Sequence, residues 1–294
     1  MKKSLLYTYV LDHDLGFAPN PFFNYLTLAG CKPCLWKKTG IRKYITKQML
    51  EKYNVWIFAN GGIDLLLENY EYSNGELVKL DSNWLSQDRL TYAFQVNEVL
   101  TFEEYYNDPR FSQKKRINTS KHIKARGDNI HHYTTKNTEN TTKQYLMDPE
   151  INPDDTSCRK KNSPTEKYRP VDKVLISKKD QFYYFGCFAP NILADIQEYF
   201  KKGPGSKRKD GEVILNLILD KIKEVCLKPG IYGFPSFKSH PKKFVEMSRN
   251  ENYLCEIYQD CFSDETKSMI KNWKAQTENK EEFINPVFNL LDCI

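Results

Sequence analysis

Apolar and polar positions along this chain fall mostly into short runs of strand length. Residues 5–11 are almost wholly apolar and stop at Asp12-His13-Asp14. Residues 25–29 form a second such run, and 55–59 a third that ends at the turn signal Asn60-Gly61-Gly62. Over 89–100, Leu90, Tyr92, Phe94 and Val96 share one face, with Arg89, Thr91, Gln95 and Asn97 mostly on the other, which is the period of a strand. Two further strands are predicted at 169–177 and 182–186, joined by a Lys-Lys-Asp turn. Asn74-Gly75 is a hairpin tip inside the polar stretch 64–88.

Helical spacing is rarer. Ile41, Tyr44, Ile45, Met49 and Tyr53 space as one helix. Thr101-Phe102-Glu103-Glu104 has the spacing of a capping box and predicts a short helix ending at Asn107-Asp108-Pro109. Residues 192–202 read as an amphipathic helix. Residues 212–225 place Ile214, Leu215, Leu217, Ile218, Ile222 and Val225 at core spacing, and Ser263 is a cap for a helix reaching toward Thr277. Strands with irregular connections followed by helices predict an α+β fold. The expected form is a small mixed or antiparallel β-barrel or sheet with flanking helices and a helical C-terminal region. Two units are expected: 1–190, with insertions at 64–88 and 112–168, and a helical extension over 191–294 packed on it. Lys201, Lys202, Lys207, Arg208 and Lys209 make a basic Gly-Pro linker after the boundary, and no internal repeat is visible.

Composition adjusts this picture only slightly. The 294 residues include 19 Tyr and 17 Phe, ample for one large core or two modest ones. A formal charge of +6 is compatible with an anionic partner but lies below the balance of dedicated nucleic-acid binders. The run 5–11 is too short to cross a membrane and lacks a small-residue cleavage site. The expectation is therefore a cytoplasmic protein, with nucleoid or nucleus as alternatives, no membrane partner, and reduced cysteines. Cys31-x-x-Cys34 has no second pair at a fitting spacing, so no metal site is expected.

The candidate chemistry begins between the first two apolar runs. Three phenylalanines (Phe17, Phe22 and Phe23) lie within seven positions, and Pro19 and Pro21 stiffen the backbone on either side of Asn20. Such a loop either folds its rings into the core beneath it or offers them as stacking surface for a planar ligand such as a base. Asp14 and Lys32 stand at its two ends and are placed to pair. Downstream, Lys114, Lys115, Arg116, Lys121, Lys124 and Arg126 lie within thirteen positions that contain no carboxylate. That run is either a solvated loop or an arm that contacts phosphates. It leads into Asp128-Asn129-Ile130-His131, where Asp128 and His131 can form an acid–base pair. Asn129 either reads a base edge or bonds its own backbone in an Asx turn. Asp108 and Arg110 are either surface ion-pair partners or contacts for base and phosphate.

Four stretches carry a family resemblance. They are Gly16-Phe17-Ala18-Pro19-Asn20-Pro21-Phe22 with Cys31-Lys32-Pro33, the run 101–111, Arg126-Gly127-Asp128-Asn129-Ile130-His131-His132, and Ala189-Pro190. Over the first two-thirds of the chain the sequence resembles the family called nucleotide modification associated domain 2, which is linked to DNA base hypermodification. The resemblance implies an association with modified nucleotides and supplies no reaction. Where the family carries Gly-Asp before the strand at 55–59 and Gly-x-Gly-Ser after it, this chain has Tyr53-Asn54 and Asn60-Gly61-Gly62. The order of elements also resembles base-binding domains of the PUA, EVE and ASCH kind.

The expected function is binding of a modified base or nucleotide, in nucleic acid and most simply DNA, in making or reading hypermodified bases. Phe17, Asn20, Phe22, Lys32, Asp108, Arg110 and Asn129 are the candidate base contacts, and the six basic residues of 114–126 the candidate phosphate contacts. An enzyme using Asp14, Asp128 and His131 is the first alternative, and a protein-interaction module of a phage or mobile element the second. No glycine-rich phosphate loop, nucleophile elbow or zinc-deaminase signature is present, so neither an enzyme class nor a cofactor is legible.

Overall fold

Nine consecutive residues from Lys3 pair on one side, and the central ones, Leu5 to Tyr9, on both; they form the strand on which the rest of the fold is laid. A computed structural model describes residues 2–11, 14, 16, 19–29, 41–63, 65, 67–81, 84–114, 131–132, 144–145, 173–200, 206–226 and 228–235, with positions 264, 267–268 and 271–272. The elements are β1 (Lys3–Leu11), β2 (Tyr25–Leu28), α1 (Ile41–Tyr44), α2 (Lys47–Lys52) and β3 (Tyr53–Gly61). Next come β4 (Tyr70–Ser73), β5 (Glu76–Lys79), β6 (Leu90–Val96), β7 (Glu98–Thr101) and α3 (Phe102–Asn107). They are followed by β8 (His131–His132), β9 (Gln144–Tyr145), β10 (Lys173–Lys178), β11 (Phe182–Tyr184), β12 (Ser206–Asp210), α4 (Glu212–Val225) and β13 (Gly230–Ile231).

One sheet has the order β12-β1-β3-β6-β11-β13, and a second the order β2-β10-β7. The first is mixed: β1 and β3 run parallel, as do β11 and β13, and the other pairs are antiparallel. Two segments step side by side from one sheet to the other. β6 continues into β7 through Asn97, and β10 into β11 through the short 3-10 turn Lys179–Gln181. Asn97 ties this corner: its backbone N–H donates to Ile176 O at 2.8 Å, its side-chain amide to Gln181, and its Oδ1 accepts Lys178 N–H at 2.9 Å. The sheets bend into each other here, but no barrel closes among the described residues, so the fold is α+β with mixed sheets.

The second sheet is covered on both faces. Leu26, Leu28, Val99 and Leu175 join the main core, while Leu100, Val174 and Ile176 pack with Phe102, Tyr105 and Phe111 in a smaller cluster. α3 begins with the expected capping box, in which Thr101 Oγ1 accepts Glu104 N–H and Glu104 accepts Thr101 N–H. The β4–β5 hairpin turns at Asn74-Gly75, both at positive φ.

Several expectations change. The helix read over 41–53 is two short helices, because the Thr46 hydroxyl caps a fresh start at Met49 N–H and Tyr53 pairs with Lys3 in the sheet. The single strand over 89–100 is broken at Asn97, and Arg89 and Thr91 are buried. The amphipathic helix over 192–202 is a 3-10 segment, Ala194–Tyr199, interrupted at Ile196 (φ −128°, ψ 21°). It docks through Thr8 Oγ1 to Tyr199 O at 3.3 Å and through the Gln197 side chain to Asp88 at 2.7 Å. The basic linker contains β12, an edge strand antiparallel to β1, from Leu5 opposite Asp210 to Tyr9 opposite Ser206. α4 appears where its spacing placed it and buries Leu215, Ile218, Ile222 and Val225 in the main core. The rest of the expected helical C-terminal region lies almost wholly outside the described residues.

Candidate buried acid site at the sheet rim

Three positions past β1, Asp14 is 1 % exposed. Its Oδ1 accepts the Gly16 backbone N–H at 2.9 Å, an Asx turn, and its Oδ2 accepts the Tyr184 hydroxyl at 2.6 Å. Burial pushes its carboxyl up from 3.8 to about 6, against the lowering pull of those two hydrogen bonds. Gly16 holds φ +74°, and a Cβ there would lie 2.8 Å from Pro235 Cγ and 3.3 Å from Phe22 Cε2. The turn that carries Asp14 is therefore pressed between Phe22 on its own loop and Pro235 beyond β13.

Tyr184 belongs to a row that crosses four strands. Tyr9 of β1 lies opposite Ala59 of β3, Ala59 opposite Tyr92 of β6, and Tyr92 opposite Tyr184 of β11. Side chains directly opposite one another project from the same face, so three tyrosines and one alanine line it together. The Tyr9 and Tyr92 rings meet edge-on at 5.9 Å above the small Ala59, and Tyr92 and Tyr184 stack at 6.5 Å with 20° between their planes. The register shifts immediately beyond Ala59, a bulge that ends the row at the rim. All three tyrosines are fully buried. Burial also drives the Tyr92 phenol well above 10, so it stays protonated.

Backbone crossing fixes the Tyr184 end. Gly186, at φ +53°, and Gly233 each pass so close to the other segment that an added Cβ would fall 1.9 Å from Phe234 O and Phe185 O respectively. Cys187 N–H donates to Phe234 O at 2.7 Å and Tyr232 N–H to Tyr184 O at 2.8 Å. The segment that supplies Pro235 to Gly16 is thus locked to the strand that supplies Tyr184 to Asp14.

The rest of the rim loop is held from the opposite side. Asn20 and Thr27 exchange backbone hydrogen bonds at 2.8 and 2.9 Å, and Asn20 Oδ1 accepts Phe22 N–H at 3.1 Å. Lys114 Nζ donates to Asn20 O at 2.9 Å and to Asn20 Oδ1 at 3.2 Å, with both residues fully buried. Phe22 is 1 % exposed, so of the two arrangements open to the loop its ring takes the one packed into the core. Lys114, grouped by sequence with a solvated basic run, is a buried anchor of this loop.

Asp108 and Arg110 form a surface ion-pair cluster. Arg110 donates to both oxygens of Asp108, the shortest contact at 2.6 Å, and to both oxygens of Glu98 at 3.0 Å, which holds its guanidinium charged at any accessible pH. His131 lies on β8, where only its backbone pairing with Tyr145 is described. Phe17, Lys32, Lys115, Arg116, Lys121, Lys124, Arg126, Asp128, Asn129 and the Cys31/Cys34 pair lie outside the described residues. Among the described residues no three His, Cys, Asp or Glu side chains gather as a metal site would require, and no helix is long and apolar enough to cross a membrane.

Of the residues that gather here, Asp14 and Asn20 are among the candidates named from the sequence, and Tyr184, Tyr92 and Tyr9 are not. The available signal was a hydroxyl-bearing ring at inward positions of otherwise apolar strands.

These features define a class: an α+β protein of two bent sheets with a desolvated acid set at their rim. The chain belongs to the nucleotide modification associated domain 2 family, whose model matches residues 3–59 and 75–242. The family's description ties the chain to nucleotide modification and hence to nucleotides or nucleic acid. Searches of curated proteins and of solved structures return no match.

Proposed function

We propose that the Asp14 site engages a nucleobase, modified or about to be modified, and that the chain acts in making or reading hypermodified DNA bases. The observation that carries this reading is the Asp14–Tyr184 pair: a carboxyl raised to about 6 by burial, yet held by a tyrosine hydroxyl and a backbone N–H. Strongly perturbed acids concentrate at functional sites, and a carboxylate accepts from the N–H groups of a base edge. Family membership supports a nucleotide as the ligand. Two sheets that bend into one another beneath a stiffened rim loop support kinship with base-binding domains of the PUA and EVE kind. Because Asp14 is buried, a base that reaches it is taken out of water and displaces what covers the carboxyl. Asn129 and the residues 115–126 are the proposed contacts to the rest of the nucleic acid, and Phe17 and Lys32 further proposed contacts to the base.

The same observation favours a second reading, in which Asp14 is itself an acid–base group. A carboxyl titrating near 6 is better matched to proton transfer at neutral pH than an ordinary aspartate. Asp128 and His131 would then be its partners.

The test is a titration of single-stranded and duplex oligonucleotides over a range of salt concentrations, with the wild-type chain and Asp14→Asn. Binding is expected to weaken steeply with salt, as counterion release requires. Asp14→Asn should weaken it at every salt concentration without changing the slope. A flat salt profile would instead favour a protein-interaction module.

A further inference from the structure

Tyr92 stands beside the Asp14–Tyr184 pair with a hydroxyl that makes no hydrogen bond among the described residues. It is fully buried, and its oxygen has no hydrogen-bond partner among the described residues. Two positions along the same strand and on the same face, Phe94 fills an equivalent inward place with no hydroxyl at all. A phenylalanine at 92 would keep the stacking on Tyr184 and the edge contact with Tyr9 while removing a stranded polar group. A buried hydroxyl left unpaired is a standing cost in the unliganded protein. The hydroxyl therefore calls for a partner that the described residues do not supply.

Its position indicates where that partner sits. Tyr92 and Tyr184 are register neighbours with nearly parallel rings, and Tyr184 ends on Asp14 Oδ2. The Tyr92 hydroxyl thus projects from the same sheet face as the carboxyl's own hydrogen-bond donor, one strand over. We propose that Tyr92 is the second ligand contact of this site, donating to a carbonyl or ring-nitrogen acceptor on the base whose neighbouring N–H is accepted by Asp14. This rests on the reading of the Asp14 site as a base site and narrows its ligand. The matching chemistry is a planar heterocycle edge with a donor beside an acceptor, rather than a sugar hydroxyl or a phosphate. The phenol remains protonated at neutral pH, which suits it to donate.

The experiment measures binding of uncharged probes, so that phosphate contacts do not mask the base site. The probes are the four common 2′-deoxynucleosides and the 5-hydroxymethyl forms of the two pyrimidines. They are titrated into the full chain and its Asp14→Asn, Tyr92→Phe and Tyr184→Phe variants, with a thermal melt of each. The expected result is loss of affinity by at least about tenfold in both Asp14→Asn and Tyr92→Phe, while Tyr92→Phe melts at or above the wild-type temperature. Weakened binding in Asp14→Asn with unchanged binding in Tyr92→Phe would overturn the role of Tyr92 and leave the base site standing. A Tyr92→Phe chain that melts well below wild type would mark a structural hydroxyl, bridged internally, and would also overturn it. Failure of every probe to bind the wild-type chain, or binding unaffected by either variant, would remove both the Tyr92 role and the base-site reading.

Discussion

Tyr184 donates its hydroxyl hydrogen to Asp14 Oδ2 at 2.6 Å, joining two residues 170 positions apart in sequence. The bond offsets only part of the cost of burying the carboxylate, since Asp14 still titrates at about 6 rather than 3.8. The folded protein therefore binds a proton at Asp14 more tightly than the unfolded chain does. Stability associated with this group is greatest below pH 4 and falls as pH rises to about 6, by about 3 kcal/mol. Above that range the penalty is constant.

Replacing Asp14 by Asn removes the charge and leaves an oxygen able to accept from Tyr184. Taking the difference between the two proteins cancels the titration of the other carboxylates. Between pH 4 and pH 7 the wild type should lose up to about 3 kcal/mol of stability relative to Asp14→Asn. Urea unfolding at several pH values measures this. A difference that does not change with pH would show that Asp14 titrates normally.

Lys114 should matter for the loop rather than for phosphate. Lys114→Met removes two hydrogen bonds to Asn20 and is expected to cost about 1–3 kcal/mol in urea unfolding. It should leave the salt slope of nucleic-acid binding unchanged. Replacing Lys121, Lys124 and Arg126 together should do the reverse, flattening the slope by roughly one unit for each phosphate no longer neutralised.

Arg89 joins two backbone segments through three carbonyls. Its Nε donates to Ala189 O at 2.6 Å, Nη1 to Glu68 O at 2.8 Å and Nη2 to Tyr70 O at 2.7 Å, and its guanidinium lies over the Trp84 ring at 4.5 Å. A lysine ammonium cannot reproduce that fork or the stacking. Arg89→Lys should cost about 2–4 kcal/mol, visible as a lower denaturation midpoint.

Two glycine-to-alanine changes should differ sharply. At Gly186 a Cβ would meet Phe234 O at 1.9 Å with φ at +53°, so the backbones that hold Tyr184 and Pro235 must separate. A loss of roughly 2–4 kcal/mol is expected, together with weaker ligand binding. At Gly75, φ is +85° but nothing lies within 4 Å, and Ala there should cost only about 1 kcal/mol. Thermal melts of both variants make the comparison.

Elements specified by their own residues were legible in the sequence. β1, β3, the Asn74-Gly75 hairpin, the Thr101 capping box and α4 each follow from local periodicity or local turn chemistry. What escaped depends on distant partners. The alternation over 89–100 runs straight through Asn97, and the bend there is made by Ile176, Lys178 and Gln181. Lys207-Arg208-Lys209 has the composition of a linker, and it becomes a strand because the edge of β1 offers it hydrogen bonds. The site divides the same way. Asp14 and Asn20 stood out as polar residues in a stiff aromatic loop, whereas Lys114 was indistinguishable from its lysine neighbours until its burial was seen. The tyrosine row requires knowing which strands lie side by side.

The most direct test of the central claim is the nucleoside content of nucleic acid that co-purifies with this chain from cells that naturally carry it, resolved by mass. Wild-type chain and folded Asp14→Asn would be purified in parallel. A modified nucleoside should be enriched over bulk nucleic acid with the wild type, and the enrichment should disappear with Asp14→Asn. The same nucleoside composition in both samples, matching bulk nucleic acid, would contradict a base site at Asp14.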